Sequence, residues 1–210
     1  MTDKNLVWYA SFGSNINADR FLCYIQGGKP ELSNDTERGC RDATLPRNEK
    51  PFIMNHPVFF AKEAARWNGG GVAFIDPDRY SEQKTYSNMY LVTREQFQDI
   101  VAQENKLDSF EMDFEEVMEK RSKKVQDSWY GNILYLGDED GHPVFTFTTP
   151  VPISPEEVKK PSVEYLSTII GGLKKGVDLN EEQIVEYFME VPGVKGEFTE
   201  KELRAVVEKV

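Results

Sequence analysis

The stretch Tyr9–Asn15, read as YASFGSN, joins an aromatic, mostly apolar run to a loop of small polar residues. Residues 6 to 12 are rich in aromatic and β-branched side chains and contain no breaker, which predicts a β-strand. Asn15 or Asn17 can then cap a helix, which the glycine pair at 27 and 28 ends. The stretch therefore predicts a strand that turns sharply into a helix.

The turn itself has the composition of an anion-binding loop. Gly13 permits a positive φ, and Ser14 and Asn15 tolerate tight turns. Successive N–H groups in such a turn, backed by a helix N-terminus, form a concave set of donors that suits a carboxylate or an oxyanion. Because glycine, serine and asparagine are favoured at any strand-to-helix junction, a purely structural role stays open.

The composition indicates an ordinary globular protein. The chain has 210 residues, is 39% hydrophobic and carries a net charge of −11. It can bury a core, and its acidity argues against a nucleic-acid partner, since phosphate binding needs clustered Lys and Arg. Cys23 and Cys40 form no disulfide framework or Cys-x-x-Cys motif. We find no run of transmembrane length and no signal-peptide core, so we expect a cytoplasmic protein without a membrane partner.

The order of the expected elements indicates an α+β fold. Further strands are expected at 58–61, 72–75, 86–92, 129–136 and 144–148. The last two form a hairpin around residues 138–141. Capping boxes at Thr93 and Thr199 and a cap at Asn180 each begin a helix, and a further helix is expected over 162–174. Strands dominate the first two thirds and helices close the chain.

Two segments show little regular pattern. Residues 29–55 are polar and punctuated by prolines, and they read as a long excursion with little regular structure. Residues 106–124 are charged and only weakly amphipathic. The sequence predicts no element with any firmness in either segment.

The familiar catalytic and cofactor motifs are absent from the sequence. His56 and His142 have no partner at zinc-ligand spacing, and we expect no metal site. There is no G-x-S-x-G elbow, no P-loop and no G-x-G-x-x-G, so no cofactor is expected either. The chemistry that remains is that of backbone donors and carboxylates.

Four segments, in order, resemble the γ-glutamylcyclotransferase-like family, which includes the AIG2-like domains. Residues 9–15 resemble its YGSN loop, and 68–73 resemble its glycine pair before a strand. Residues 89–93, with the helix that ends in Ala102-Gln103-Glu104, resemble its strand–helix unit. Residues 161–173 resemble its P-S-x-x-Y-x-x-x-I segment. Together these matches cover most of residues 5 to 190.

The resemblance implies a single domain over 1–210, an α+β fold in which helices surround a small, twisted, β-barrel-like sheet. It implies a cavity at one barrel end, insertions at 29–55 and 106–128, and a helical C-terminal region at 155–210. It assigns Glu104 as the catalytic acid–base. The substrate-binding residues it implies are Phe12, Gly13, Ser14, Asn15, Gly70 and Tyr165.

The implied substrate is a small γ-glutamyl compound or a similar acyl-amine. Its own α-amine attacks the γ-carbonyl, which yields 5-oxoproline and frees the attached amine. Such a reaction needs no enzyme nucleophile and no metal. Orientation can contribute about 7–11 kcal/mol, and one carboxylate that moves the protons contributes about 10²–10⁴-fold.

The sequence also departs from the family pattern, which keeps a second reading open. Phe12 stands where the family usually has tyrosine, Asn68 where it often has histidine, and Asn105 where glycine usually follows the glutamate. The alternative is a non-catalytic member that binds a small metabolite or a protein. A glutamate at a helix C-terminus is ordinarily exposed, and Tyr165 could either pack in the core or line the cavity.

Overall fold

An open six-stranded sheet is the centre of the computed structural model, which describes residues 3–31, 35–78, 83–151 and 154–210. Its strands are β1 (Leu6–Ser11), β2 (Asn48–Met54), β5 (Thr85–Thr93), β6 (Ser122–Lys124), β7 (Asn132–Glu139) and β8 (His142–Thr148). Their spatial order is β2-β5-β1-β8-β7-β6. In the described residues this sheet is not closed. The structure therefore confirms the α+β class and corrects the expectation of a barrel-like closure.

A second, two-stranded sheet consists of β3 (Val58–Ala64) and β4 (Gly70–Ile75). A β-bulge between Ala61 and Ala64 bends β3. At the far end of β4, the Ile75 N–H donates to Thr148 Oγ1 at 3.1 Å, and the same hydroxyl donates to the Ile75 carbonyl at 2.7 Å. One threonine side chain thus fixes β4 against the end of β8.

The two faces of β1 separate two hydrophobic cores, because successive side chains of a strand point to opposite sides. Val7 and Tyr9 pack with α1 (Ala18–Gln26), α2 (Arg94–Glu104) and α3 (Phe114–Lys120). Trp8 and Ala10 pack on the side of β3 and β4. The remaining helices on that side are α4 (Val163–Gly176), α5 (Glu181–Met189) and α6 (Glu200–Val207).

The helix starts agree with the capping signals in the sequence. Asn17, Thr93, Ser162, Asn180 and Thr199 each accept a hydrogen bond from a backbone N–H in the first turn of their helix. Such a bond satisfies one of the donors that a helix leaves unpaired at its N-terminus. The predicted caps Thr93, Asn180 and Thr199 are confirmed, Asn17 is the cap of the two candidates Asn15 and Asn17, and Ser162 is a cap that the sequence analysis had placed inside its helix.

The expectation of little regular structure in 29–55 and 106–124 is wrong in part. Strand β2 reads NEKPFIM and lies at an edge of the sheet. An edge strand tolerates a proline, and most of its side chains are exposed, so it lacks the alternation of a half-buried strand. Helix α3 and strand β6, of seven and three residues, are too short to leave a clear period.

The β7–β8 hairpin is tighter than the sequence suggested. The ladder continues to the pair Glu139–His142, so only Asp140 and Gly141 form the loop. Both have positive φ, 50° and 78°, as a two-residue hairpin turn of type I′ requires. His142 therefore begins β8.

The helices of the described ranges include none with the length and apolar character needed to cross a membrane.

Candidate functional site

A cavity of about 1100 Å³ opens at the end of β1. The loop Gly13–Asn15, the last residue of α2, the middle of β4 and the first turn of α4 all contribute to its lining. Further lining comes from Arg20 and Tyr24 of α1 and from the segments 35–37, 63–67 and 128–130. The cavity therefore lies where both sheets and three helices meet.

The loop after β1 is held between β5 and α4. The Tyr90 hydroxyl of β5 donates to the Asn15 carbonyl at 2.9 Å. On the other side, a Cβ at Gly172 of α4 would lie 2.5 Å from the Ile16 carbonyl carbon, closer than real contacts allow. Helix α4 can approach the loop only because it has a glycine at that position.

Gly13 needs to be small for a reason other than its backbone conformation. Its φ is −101°, so the expectation that it supplies a positive φ is wrong. A Cβ at Gly13 would lie 3.1 Å from the Tyr165 hydroxyl oxygen. Close approach of this hydroxyl, and not a left-handed turn, explains the glycine.

Glu104 is the last residue of α2, and its side chain lines the cavity. Asn15 Nδ2 donates to Glu104 Oε1 at 3.1 Å, which joins the carboxylate to the loop. Desolvation by burial raises the pKa of Glu104; Arg20 opposes this and Glu37 adds to it. A carboxyl group with a raised pKa is suited to both accepting and donating a proton near neutral pH.

Tyr165 does both things that the sequence left open. Its ring packs edge-on against Phe60 and lies 4.8 Å from the ring of Trp67. Its hydroxyl lines the cavity and accepts a hydrogen bond from the Ala73 N–H at 3.1 Å. Burial raises the pKa of Tyr165 to about 12, so the hydroxyl stays protonated at neutral pH.

A buried charge network borders the loop, and the sequence analysis did not identify it. The Arg20 side chain is 4% exposed, and its Nε donates to Ser14 Oγ at 2.8 Å. Glu37 lies 3.8 Å from Arg20 Nη2 and 2.9 Å from Arg66 Nη2. The guanidinium of Arg20 also lies 5.1 Å from the centre of the Trp67 ring. These residues place positive charge near Glu104 and hold residue 37 beside the cavity.

The signal for this network in the sequence was weak. Arg20 lies five residues after Asn15, on the first turn of α1, so its nearness to the loop could be inferred. Glu37 lies in a loop segment and Arg66 in a single 3-10 turn (Ala65–Trp67), and nothing in their local pattern distinguishes them from surface charges.

The structure brings together six of the seven residues that the resemblance implied. Lining the cavity are Phe12, Gly13, Ser14, Asn15, Glu104 and Tyr165. Gly70 lies outside that lining: a Cβ there would lie 2.4 Å from the Ser162 nitrogen, so this glycine allows β4 to pack on the start of α4. The catalytic and binding roles of all seven remain predictions.

Of the three residues that depart from the family pattern, two line the cavity and one does not. Phe12 lines the cavity and is buried. Asn68 is an exposed turn residue with a φ of 56°. Asn105 follows Glu104 in the cavity lining. Among the described residues, we find no group of three or more His, Cys, Asp or Glu side chains placed to hold a metal ion.

Comparison with known proteins adds one curated relative. No family model matches the chain. Histone deacetylase 5 of Arabidopsis thaliana is 34% identical over 197 aligned residues, which cover 86% of this chain and 30% of that protein. The chain thus spans less than a third of the length of the curated relative it matches.

Two solved structures show the fold. A gamma-glutamyl cyclotransferase superposes with a TM-score of 0.52 at 13% identity, over 98% of this chain and 99% of that one. An uncharacterized protein from Homo sapiens superposes with a TM-score of 0.50 at 14% identity, over 97% and 99%. This chain has the γ-glutamylcyclotransferase-like fold, as the four sequence segments implied.

Proposed function

We propose that this protein is a γ-glutamylcyclotransferase-type enzyme, which closes a γ-glutamyl group into 5-oxoproline and releases the attached amine. The observation that carries the proposal is the hydrogen bond between Asn15 Nδ2 and Glu104 Oε1 in the cavity. It sets a carboxylate with a raised pKa directly against the loop proposed to bind the acyl group. The fold shared with a gamma-glutamyl cyclotransferase supports the same conclusion.

In the reaction, the γ-carbonyl carbon of the substrate forms a bond to the α-amine nitrogen and loses its bond to the nitrogen of the released amine. Glu104 takes a proton from the α-ammonium of the substrate, and the neutral amine attacks the γ-carbonyl carbon. The new C–N bond closes the ring, and Glu104 delivers the first proton to the leaving nitrogen. The regenerated carboxylate then takes the second proton from the ring nitrogen while the old C–N bond breaks, and it passes that proton to the released amine. Protons and charge balance without any added reactant.

The loop would stabilise the negative charge that develops on the carbonyl oxygen, and Tyr165 would hold that loop in position. Backbone N–H groups of Gly13–Asn15 precede a helical turn and α1, where donors without an intrahelical partner concentrate. Fixed donors in a site shielded from water stabilise an oxyanion more than water does. The Tyr165 hydroxyl holds Ala73 at 3.1 Å, so its main effect is to keep β4 and the loop in place.

The positive charges of Arg20 and Arg66 favour the ionised form of the half-buried Glu104 carboxylate. Desolvation raises its pKa, and both arginines oppose that shift. In the ionised form Glu104 can act as the base of the first step, and in the protonated form as the acid of the last.

A product assay tests the proposal. The purified protein is incubated with γ-glutamyl amino acids, γ-glutamyl amines and glutathione, and 5-oxoproline is measured by mass spectrometry. We expect 5-oxoproline from the wild type and little from Glu104→Gln. Free glutamate in place of 5-oxoproline would indicate hydrolysis by water and contradict cyclisation.

The non-catalytic alternative gives a different result in the same samples. A binding member would be stabilised by γ-glutamyl compounds against heat without forming product, and Glu104→Gln would keep that stabilisation. The name histone deacetylase 5 belongs to a protein of which this chain spans 30%, so it gives no reason to prefer deacetylation here.

A further inference from the structure

The cavity exceeds what a γ-glutamyl group alone would occupy. Pockets that enclose drug-sized ligands measure roughly 300–1,000 Å³. This one, at about 1100 Å³, lies just above that range. If the γ-glutamyl group binds beside Glu104, most of the space remains for the amine portion of the substrate.

Part of the remaining wall is aromatic. Trp129, Tyr130 and Phe147 all line the cavity; Phe147 is buried and Tyr130 is half-buried, so Trp129 is the accessible ring. Trp129 is 41% exposed, although its ring edge also contacts Phe74 at 6.4 Å between centres. Tyr130 stacks on the same Phe74 at 5.1 Å. A large aromatic side chain left open at a cavity offers a flat apolar surface on which a planar group can stack.

The loop that carries Trp129 is attached to the helix end that carries Glu104. Asn105 Nδ2 donates to the Val101 carbonyl at 2.8 Å and to the Tyr130 carbonyl at 3.3 Å. Its Oδ1 accepts a hydrogen bond from the Ser128 hydroxyl. Asn105, which departs from the family pattern, thus holds the Trp129 loop against the helix end that carries Glu104, the proposed acid–base.

The same loop is tightly constrained beyond Trp129. A Cβ at Gly131 would lie 2.0 Å from the Gln126 carbonyl oxygen, so the chain closes on itself there. The Val125 N–H donates to the Gly131 carbonyl at 2.8 Å. Trp129 is therefore presented by a short, closed loop with defined anchors at both ends, which suits a fixed contact surface.

A cation adjoins this aromatic wall. Lys106 lines the cavity, follows Asn105 directly and is exposed. Among the described residues it forms no ion pair, whereas Arg66 pairs with Asp35 at 2.9 Å and with Glu37 at 2.9 Å. An unpaired ammonium beside an aromatic surface favours a ligand with an acid group next to a ring.

We infer that the amine portion of the substrate is a large aromatic amine that bears an acid group, as in a γ-glutamyl conjugate of an aromatic amino acid. Its ring stacks on Trp129 and Tyr130, and its carboxylate pairs with Lys106. Asn105 is a positioning residue, since it acts by holding the Trp129 loop. This inference rests on the proposed function and specifies the substrate class of that same cavity.

Matched substrates test it. We compare kcat/KM for γ-glutamyl-tryptophan, γ-glutamyl-alanine and γ-glutamyl-tryptamine, the last of which lacks the carboxylate. We expect the tryptophan conjugate to exceed the alanine conjugate about 10-fold or more, as one stacked ring and its burial allow. We expect it to exceed the tryptamine conjugate about 2- to 5-fold, as an exposed ion pair allows.

Variants test which residues produce these substrate preferences. Trp129→Ala should remove most of the preference for tryptophan over alanine and leave the alanine conjugate within about 2-fold. Lys106→Gln should remove only the preference over tryptamine. Asn105→Gly should reproduce Trp129→Ala through KM, with kcat nearly kept. Leu45→Ala, an exposed apolar residue outside the cavity lining, should change no ratio.

The outcomes separate this inference from the function beneath it. Equal kcat/KM for all three conjugates, or equal losses for all three in Trp129→Ala, would overturn the aromatic substrate and leave cyclotransfer intact. Absence of 5-oxoproline from every compound would overturn the proposed function, and this inference with it.

Discussion

The cavity has two walls whose residues are positioned in different ways. One, which we call the framework wall, consists of the Gly13–Asn15 loop, Glu104 and Tyr165. Each of these lies at or near the end of a strand or helix whose limits are fixed by caps and pairing. The other, the segment wall, consists of Glu37, Lys106 and Trp129, which lie outside regular elements. The framework wall holds the proposed chemistry, and the segment wall holds the proposed selectivity.

The difference between the walls is one of support. Framework residues are held by short hydrogen bonds that join regular elements, such as Asn15 to Glu104 and Tyr90 to Asn15. Of the segment residues, Glu37 is held by ion pairs, and the loop of Trp129 is held by the Asn105 side chain. Loss of a framework contact should therefore abolish turnover or folding, whereas loss of a segment contact should change pH dependence or substrate preference.

The largest effect is expected from Glu104→Gln. Removal of the acid–base should lower kcat by about 10²–10⁴-fold, because the α-ammonium then has no acceptor of suitable pKa. Production of 5-oxoproline measures this. Glu95→Gln, an exposed position on the same helix, is the matched control and should retain activity. If Glu104→Gln kept full activity and its fold, the acid–base would lie elsewhere.

Helix α4 offers a sharper test of how the loop is supported. Gly172→Ala would set a Cβ 2.5 Å from the Ile16 carbonyl carbon, while Gly171→Ala would meet only side-chain atoms at 3.3 Å. We expect Gly172→Ala to lower the free energy of unfolding by about 1–3 kcal/mol. Gly171→Ala should be near neutral, because its crowding is offset by the better helix propensity of alanine. Denaturant unfolding of the two variants decides it; equal effects would show that α4 does not fix the loop.

Much of the framework wall could be predicted because its signals are local. Asn17 and Thr93 directly precede the helices that they cap. The stretch LVWYAS has the composition of a strand without reference to any distant residue. The partnership of Asn15 with Glu104 spans 89 residues and was reached only through the family resemblance. No local pattern could give it.

The segment wall could not be predicted, for physical reasons. Glu37 looks like any surface acid until Arg20 and Arg66 are brought to it from distant positions. Gly70 shows a related ambiguity: the resemblance implies a binding role for it, and the structure places it outside the cavity lining and against the Ser162 nitrogen. A glycine needed for close packing and one needed for ligand access look alike in a sequence.

A pH experiment tests whether the folded protein disfavours the ionised form of Glu104. Its pKa is raised in the folded state, so the folded protein binds this proton more tightly than the unfolded chain does. The stability it contributes is full below the unfolded value of about 4.3 and is lost as pH rises through the folded pKa. Glu104→Gln should therefore be more stable than the wild type at pH 7 by a margin that shrinks at pH 4. Urea unfolding at both values measures it, and a margin that does not change with pH would contradict the raised pKa.

The smallest expected effect concerns the link between the two walls. Glu37 raises the pKa of Glu104, so replacing it with glutamine removes a negative charge and lets Glu104 ionise at lower pH. In Glu37→Gln, the acid limb of the kcat/KM profile should therefore move to lower pH, by less than one unit if the charges act through a partly solvated cavity. Asp35→Asn, whose carboxylate is more exposed and also pairs with Arg66, should move it less. An unmoved limb in Glu37→Gln, with the fold retained, would mean that the segment wall only selects the substrate and does not tune the acid–base.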